Sequence, residues 1–258
     1  MKKCLAVLLI SAFLVQTSHA AEKYASVRID NVPHVKQKPD FCGEACAEMY
    51  LRKLGHKISQ DDIYNLSGLD PAKGRGCHTA ELNLALTTVG FQTGGVGYRV
   101  PAGSASAMTA QWAKLHASLL KGVPSIICMR TGKTKNATEH FRLILGYDAA
   151  KKEVIYHEPA ESPGSYRRMK LKKLLDLWPL KYDAKTWSVI RIDLKAGRIK
   201  APKRSEGFTN ADYAQHIMEL KERIPSDRFT TIIQKPFVVI GDEPAARVAH
   251  RAKYTVKW

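Results

Sequence analysis

The chain has 258 residues, with 41 Lys and Arg against 24 Asp and Glu, and its formal net charge is +17 at pH 7. This length is enough for one domain of ordinary size and a smaller piece. Apart from one denser run over 195–204, the cations occur as singles and pairs, which indicates weak adhesion to anionic cell-envelope surfaces and argues against nucleic-acid binding. The four cysteines beyond residue 20 are too few for a disulfide scaffold.

The N-terminal segment has the layout of a cleavable signal peptide. Lys2 and Lys3 precede an apolar run over 5–15, and the small residues around Ala20 suit a cleavage site. We therefore expect residues 1–20 to be removed and the mature chain to be secreted or periplasmic in a bacterium. The apolar run is shorter than the roughly 20 residues of a spanning helix. No later run is longer, so the sequence predicts no transmembrane segment in the mature chain.

Residues 21–194 are predicted to form one domain with a helical first half. Apolar residues recur at three- and four-residue steps over 41–54, which predicts a buried helical stripe with Asp40 as N-cap and Gly55 at its end. Further helices are predicted over 60–65, 79–88 and 107–120. Strands are predicted over 125–129, 140–147, 153–157 and 186–194. Helices followed by antiparallel strands indicate an α+β fold.

The remaining residues are predicted to form a linker and a small extension. Residues 195–207 are basic and poor in apolar side chains, as linkers are. Residues 208–258 suit an α/β unit, with helices over 210–224 and from 243 onward and strands over 229–234 and 237–240. About 50 residues make a marginal core, and the last helical pattern has no C-cap. We therefore expect an incomplete domain in a chain truncated from a longer protein.

Cys42 is the candidate nucleophile, because it lies at the start of a predicted helix. The unpaired amides and the macrodipole of a helix N-terminus stabilise a thiolate, and Gly43 leaves the sulfur uncrowded. Gln37 lies a short segment upstream, where its side-chain amide could donate to an oxyanion. In the alternative interpretation, Cys42 is only the first residue of a buried stripe, as Cys46 is.

His140 is the candidate base, at the start of a predicted strand, where a side chain opens readily to a cleft. If the next hairpin turns near Ala149, His140 and Glu158 are equally far from the turn and face each other, so that Glu158 orients the imidazole. A slip of one residue would present His157 instead. The alternative role for His140 is that of a hydrogen-bonded histidine at a strand edge.

These residues occur in an ordered set of motifs over about 30–194. The motifs are Gln37, Cys42-Gly43, Gly122-Val-Pro124, His140-Phe141, Gly146-Tyr147-Asp148 and Glu158-Pro159. The set resembles the bacteriocin-processing, double-glycine type of papain-like cysteine peptidases, family 39 of the cysteine peptidases, in its stand-alone exported branch. This resemblance implies a papain-like fold in which the helix that carries the nucleophile packs on an antiparallel sheet. It also implies that Cys42 is the nucleophile, His140 is base and then acid, Gln37 supplies the oxyanion hole, and the residue at the third position, Glu158 here, orients His140.

By the same resemblance, the chain hydrolyses peptide or related amide bonds of a peptide or protein substrate and needs no cofactor or metal. The family usually has Asp or Asn in place of Glu158, whose side chain is one methylene longer. This departure supports an alternative: a catalytically inactive papain-like module that binds peptides or envelope components. The chain has no transporter domains, so processing of double-glycine leaders is not implied.

Two further readings concern other residues. A structural zinc site would draw on Cys42, Cys46, Cys77 and His78, but the first two lie on one buried helical face. In a disulfide-stabilised domain, at most one bridge could form among Cys46, Cys77 and Cys128, and the sequence does not assign it. About 30 C-terminal residues, with the run Pro-Phe-Val-Val-Ile-Gly-Asp, resemble the start of a region that precedes a metallopeptidase domain in large secreted bacterial proteins. No His-Glu-x-x-His motif occurs in the chain, so no such activity is expected.

Overall fold

A computed structural model describes residues 23–203, 206–224 and 228–256. The predicted signal peptide, residues 1–20, lies outside the described residues. Seven helices are described: α1 Cys42–Lys53, α2 Gln60–Asn65, α3 Thr79–Val89, α4 Ala105–Leu120, α5 Leu171–Leu177, α6 Asn210–Lys221 and α7 Ala245–Arg251. The strands are β1 Val27–Arg28, β2 Phe91–Gln92, β3 Gly97–Pro101, β4 Ser125–Arg130, β5 Glu139–Asp148, β6 Glu153–His157, β7 Arg167–Lys170, β8 Thr186–Asp193, β9 Lys195–Ala196, β10 Thr230–Gln234 and β11 Phe237–Gly241. A 3₁₀ turn covers Pro71–Lys73, and a π-helical turn covers Ala252–Val256.

One antiparallel sheet organises the chain. Its strand order is β3-β8-β4-β5-β6-β7, and β1 pairs with the end of β5. Two clusters of buried apolar residues, one containing Ala45 and Cys46 of α1 and the other Trp112 and Leu115 of α4, cover the sheet. Helix and antiparallel sheet are thus combined as predicted, and the α+β expectation is confirmed. In the part of the chain that the structure describes, no helix has the length and apolarity to cross a membrane.

Helix α1 buries one long stripe against β5. Ala45, Cys46 and Met49 are fully buried, as the three- and four-residue spacing predicts. The prediction of Asp40 as N-cap was wrong: Phe41 occupies that position, and no side chain caps the helix. Asp40 has a φ of +59°, and its carboxylate instead accepts a hydrogen bond of 2.8 Å from the Gly76 amide. Tertiary contact therefore replaces the local cap.

The register of the β5–β6 hairpin decides where the catalytic candidates meet. Leu143 pairs with His157, and the register shifts between Ile144 and Gly146 through a bulge. Glu158 therefore lies just beyond the paired strand and does not stand directly opposite His140. At Gly146, β1 passes so close that a Cβ would lie 2.3 Å from the Val27 carbonyl oxygen, which explains the glycine.

The first half contributes more strand than the sequence predicts. β3 pairs with β8 along its whole length, so residues from the helical half extend the main sheet. β2 pairs with β9, which places the start of the predicted linker against the domain. The boundaries predicted at 194 and 207 remain predictions.

Helix α6 packs on the domain that carries Cys42. Its Ala211 and Ala214 belong to the buried cluster on the α1 side. Its Ala211 amide donates to the Asn65 side chain at 2.8 Å, and Gln215 donates to the Pro39 carbonyl at 3.0 Å. The latter contact holds the segment that leads into α1.

We predict that Ile217→Ala lowers the free energy of unfolding by about 2 to 5 kcal/mol, the range for truncating a buried Ile. Ile217 is fully buried and packs against the backbone of Gly74. Urea unfolding followed by the fluorescence of the buried Trp112 and Trp178 measures the change. Leu120→Ala is the control, because Leu120 is 55% exposed. Equal stability of both variants would show that α6 does not pack on the domain.

Candidate active site

Cys42 is the first residue of α1, and its sulfur lies against the start of β5. The Phe141 amide donates a hydrogen bond of 3.5 Å to the Cys42 Sγ. Since Phe141 directly follows His140, the structure brings the candidate nucleophile and the residue next to the candidate base into backbone contact. Gly43 allows this approach, because a Cβ there would lie 2.6 Å from Leu82 and 3.2 Å from Phe141.

His140 and Glu158 form a direct pair. The His140 Nε2 and a Glu158 carboxylate oxygen are 2.5 Å apart, and both side chains are almost entirely buried. The same oxygen accepts from the Ala160 amide at 3.1 Å, and the other oxygen accepts from the Arg142 Nε at 2.6 Å. The contact predicted between His140 and Glu158 is therefore present, although the two residues meet diagonally.

Arg142 is a residue of this site that sequence reasoning missed. It lies two positions after His140 on β5, so strand alternation places both side chains on one face. Its guanidinium lies 5.8 Å from the centre of the Tyr156 ring, and its Nη1 is buried without a hydrogen-bond partner. The alternation of side chains along the predicted strand was the available signal.

The charge of Glu158 determines which nitrogen of His140 carries a proton. Burial opposes that charge, but the hydrogen bond from His140, the charge of Arg142 and the Ala160 amide together lower the pKa of Glu158 to about 2. An ionised carboxylate only accepts hydrogen bonds. The Nε2 of His140 must therefore donate, and in the neutral ring Nδ1 is left as the basic atom.

The backbone of Gln37 is hydrogen-bonded to the segment that follows β6. Its amide donates to the Pro159 carbonyl at 2.9 Å, one residue beyond Glu158. Its side-chain Oε1 is buried without a hydrogen-bond partner. Hydrogen bonds thus join Cys42 to the residue that follows His140 and Gln37 to the residue that follows Glu158. We refer to Cys42, His140, Glu158 and Gln37 as the candidate catalytic cluster.

A cleft of about 400 Å³ opens beside Cys42. Its wall includes Phe141 and Cys128 from the sheet, and His140 is not among its lining residues. Asp40 and Glu139 bring carboxylates to the cleft, and its lining among the described residues contains no Lys or Arg. Cys42 is therefore the member of the cluster that a bound molecule would meet first.

The thiol of Cys42 is not held as a thiolate in this structure. Burial raises its pKa to about 12, and the charges of Glu44 and Asp40 act in the same direction. The amides of Phe141 and Gly43 lower it by less. The expectation that the helix N-terminus favours the anion is thus outweighed by burial, and Cys42 needs a base to become a nucleophile.

Two acidic residues hold the far wall of the cleft. Asp40 accepts from the Gly76 amide, and Glu44 accepts from the Cys77 amide at 2.8 Å. Glu44 is fully buried, and its second carboxylate oxygen has no hydrogen-bond partner. Burial raises the pKa of Glu44 to about 7. No local pattern predicts the contact between Glu44 and the Cys77 amide, because the two residues are 33 positions apart.

His157, the alternative partner for His140, has a structural role instead. It is fully buried, its Nδ1 accepts from the Tyr166 amide, and its Nε2 lies 2.9 Å from the Val32 carbonyl. With Nδ1 accepting, Nε2 donates. Burial lowers the pKa of His157 to about 4, so the ring stays neutral.

The zinc alternative finds no support in the arrangement of possible ligands. Within residues 23–203, 206–224 and 228–256, no group of three or more His, Cys, Asp or Glu side chains is placed to hold a metal ion. Cys42, Cys46, Cys77 and Cys128 are all free thiols.

Comparison with known proteins identifies the family to which the chain belongs. The family model described as the Peptidase_C39 like family matches residues 29–185, more than half of the chain. The chain belongs to this family. Membership confirms the family predicted from the motifs and places the chain among the cysteine-type peptidases. No curated protein matches the chain.

Two of the solved structures that are similar to the chain are described as a peptidase domain and a cysteine protease. The peptidase domain of ComA from Streptococcus, a bifunctional ABC transporter involved in quorum sensing, is 15% identical, with a TM-score of 0.40, and the match covers 64% of this chain and all of that domain. Xylellain, a cysteine protease from Xylella fastidiosa, is 13% identical, with a TM-score of 0.44, and the match covers 67% of this chain and 86% of that protein.

The raised pKa of Cys42 predicts how fast iodoacetamide alkylates it. The rate should keep rising from pH 6 to pH 10 without a plateau, because the thiolate fraction grows throughout this range. Peptide mapping by mass spectrometry assigns the label, and Cys42→Ala should lose it while Cys46→Ala should not. A plateau below pH 7 would instead reveal a preformed thiolate.

The buried Glu44 predicts a stability difference that depends on pH. Its folded pKa is about 7 against a usual value of 4.5, so ionisation in the unfolded chain costs the folded state stability as the pH rises from about 4.5 to 7. Glu44→Gln should therefore match the wild type below pH 4.5, apart from a constant offset. Relative to the wild type, its free energy of unfolding should rise by about 3 kcal/mol between pH 4.5 and pH 8. Urea unfolding at both pH values measures this, and a difference independent of pH would contradict it.

Proposed function

We propose that this chain hydrolyses peptide or related amide bonds through a thioester on Cys42. His140 takes the thiol proton while the sulfur attacks the carbonyl carbon, and then gives that proton to the leaving amine. Water next attacks the thioester as His140 takes a proton from it, and the sulfur leaves with the proton returned. The carboxylate product and the resting thiol are restored, and no cofactor takes part.

The observation that carries this proposal is the fixed state of His140. A carboxylate with a pKa of about 2 accepts from Nε2, and this leaves Nδ1 basic at the start of β5, where the neighbouring Phe141 amide donates to the Cys42 sulfur. Since the thiol is protonated at rest, a base held in this state is what the reaction requires. Arg142 compensates for the longer Glu158 by fixing its carboxylate from the other side.

Gln37 is the proposed oxyanion donor, together with the amides at the start of α1. No side chain caps this helix, so its first amides are available to a developing negative charge. Gln37 is tied to the segment that carries Glu158, which keeps it near the same end of the sheet.

The proposed substrate is a peptide or protein outside the cytoplasm. The signal-peptide layout of residues 1–20 supports export to the periplasm or the medium, and the net charge of +17 supports weak adhesion to anionic envelope surfaces.

The competing proposal is an inactive module that binds peptides or envelope components. The longer Glu158 supports it, and the half-buried thiol of Cys42, whose raised pKa keeps it protonated, also favours it. The contact between Glu158 and His140 favours the enzyme, because a module that only binds does not need an oriented imidazole.

Substitutions in the cluster should separate these two proposals. On a library of quenched fluorescent peptides, Cys42→Ala and His140→Ala should abolish turnover, and Gln37→Ala should lower kcat by about 10²- to 10³-fold. Cys46→Ala is the matched control, since it removes a buried thiol one helical turn away. Turnover by the Cys42→Ala variant, or no turnover of any peptide by the wild type, would contradict the proposed peptidase activity.

Glu158→Gln should lower kcat by about 10³- to 10⁴-fold, because an amide that donates to Nε2 forces the proton onto Nδ1. Arg142→Met should lower it by about 10- to 100-fold, by loosening the carboxylate that holds His140. Glu161→Gln is the control, because Glu161 pairs with Arg167 on the surface. Full activity in Glu158→Gln would show that Glu158 does not orient the base.

A further inference from the structure

A second, larger cavity of about 1090 Å³ is lined by residues from α4, α5 and the ends of β4 and β8. Neither Cys42 nor another residue of the catalytic cluster lines it. It shares no lining residue with the cleft beside Cys42. Its volume is at the upper end of the range for small-molecule sites, about 300 to 1,000 Å³.

The floor of this cavity is apolar. Leu171, Leu175 and Trp187 line it and are half-buried, because they also pack against the core cluster on the α4 side. The buried Met108 and Tyr147 of that cluster reach the cavity as well. The floor is thus an exposed continuation of the core, and it suits a hydrocarbon chain.

The rim of the cavity is cationic. Its basic residues are Arg130, Lys133, Lys152, Lys170, Lys172 and Lys181. Asp176 is the one acidic residue of the lining in the part of the chain that the structure describes, and its carboxylate is shared by Lys133 at 3.3 Å and Lys172 at 3.4 Å. The Lys181 ammonium lies 4.5 Å above the Trp187 ring, so charge and apolar floor meet there directly.

The start of α4 adds to the positive potential. Ser104 and Ala105 line the cavity where this 16-residue helix begins. The positive end of the helix macrodipole therefore faces the same space as the basic side chains. The smaller cleft beside Cys42 has the opposite character, with Asp40 and Glu139 in its lining.

We propose that this cavity binds a monomeric amphipathic anion: a single acyl chain with a phosphate or carboxylate head. The chain lies on the floor of Leu171, Leu175 and Trp187, and the head meets Arg130 and Lys181. A free monomer is favoured over a lipid within a bilayer because the apolar surface is recessed. The large, strongly exposed apolar side chains of the described residues, such as Leu84 and Phe208, lie outside the cavity.

Calorimetric titration of the mature chain with dodecyl phosphate, below its micelle concentration, tests this site. We expect saturable binding at one site per chain. Dodecyl maltoside has the same chain without the charge and should bind at least about tenfold more weakly. Octyl phosphate has four fewer methylenes and should also bind at least about tenfold more weakly. Inorganic phosphate alone should show no comparable affinity.

Two charge-matched double variants locate the site. Arg130→Gln with Lys181→Gln should weaken dodecyl phosphate binding about tenfold or more. Lys114→Gln with Lys121→Gln removes the same charge from exposed positions outside the cavity and should leave the affinity unchanged. Equal losses in both variants, or equal affinity for dodecyl maltoside, would overturn the proposal.

Vesicles of phosphatidylglycerol test whether the cavity instead binds a lipid within a bilayer. The two charge-matched double variants should sediment with them to the same extent, because both have lost two positive charges and the cavity takes up a monomer. Sedimentation that only the Arg130→Gln, Lys181→Gln variant loses would assign the cavity to a membrane surface and overturn the proposal of a free amphiphile.

Discussion

The candidate site depends on the hydrogen bonds that the Glu158 carboxylate accepts. This carboxylate accepts from His140, Arg142 and the Ala160 amide, and these contacts keep it ionised although it is buried. Its charge fixes the proton on Nε2 of His140 and leaves Nδ1 as the base. In the proposed enzyme, Arg142 compensates for the extra methylene of Glu158, because the guanidinium and the imidazole hold the carboxylate between them.

Burial and the helix N-terminus act in opposite directions on the pKa of the Cys42 thiol. The first amides of α1 stabilise an anion, but desolvation and the nearby Glu44 and Asp40 keep the thiol protonated. The same two carboxylates hold the amides of residues 76 and 77, so they build the cleft wall while disfavouring the thiolate. The proposed enzyme therefore depends on His140 as a general base during attack, and not on a thiolate stored beforehand.

Local sequence signals predicted helices and strands, whereas features that depend on tertiary contacts could not be predicted from them. The helix 60–65 and the strand 153–157 were predicted with the bounds observed, because capping and alternation are local. The pairing of His140 with Glu158 was predicted from turn geometry, but the bulge between Ile144 and Gly146 has no local signature. The predicted Asp40 cap is absent because the Gly76 amide donates to that carboxylate. Arg142 was not predicted, although strand alternation places it on the same face of β5 as His140 and both residues contact Glu158.

The nitrogen-15 NMR spectrum of the His140 side chain at neutral pH tests the central claim most directly. In the neutral ring, the account predicts a protonated Nε2 and an unprotonated Nδ1, and it predicts that Glu158→Gln reverses this tautomer, because the amide then donates to Nε2. A His140 ring that carries its proton on Nδ1 in the wild type, or a tautomer that Glu158→Gln leaves unchanged, would contradict it.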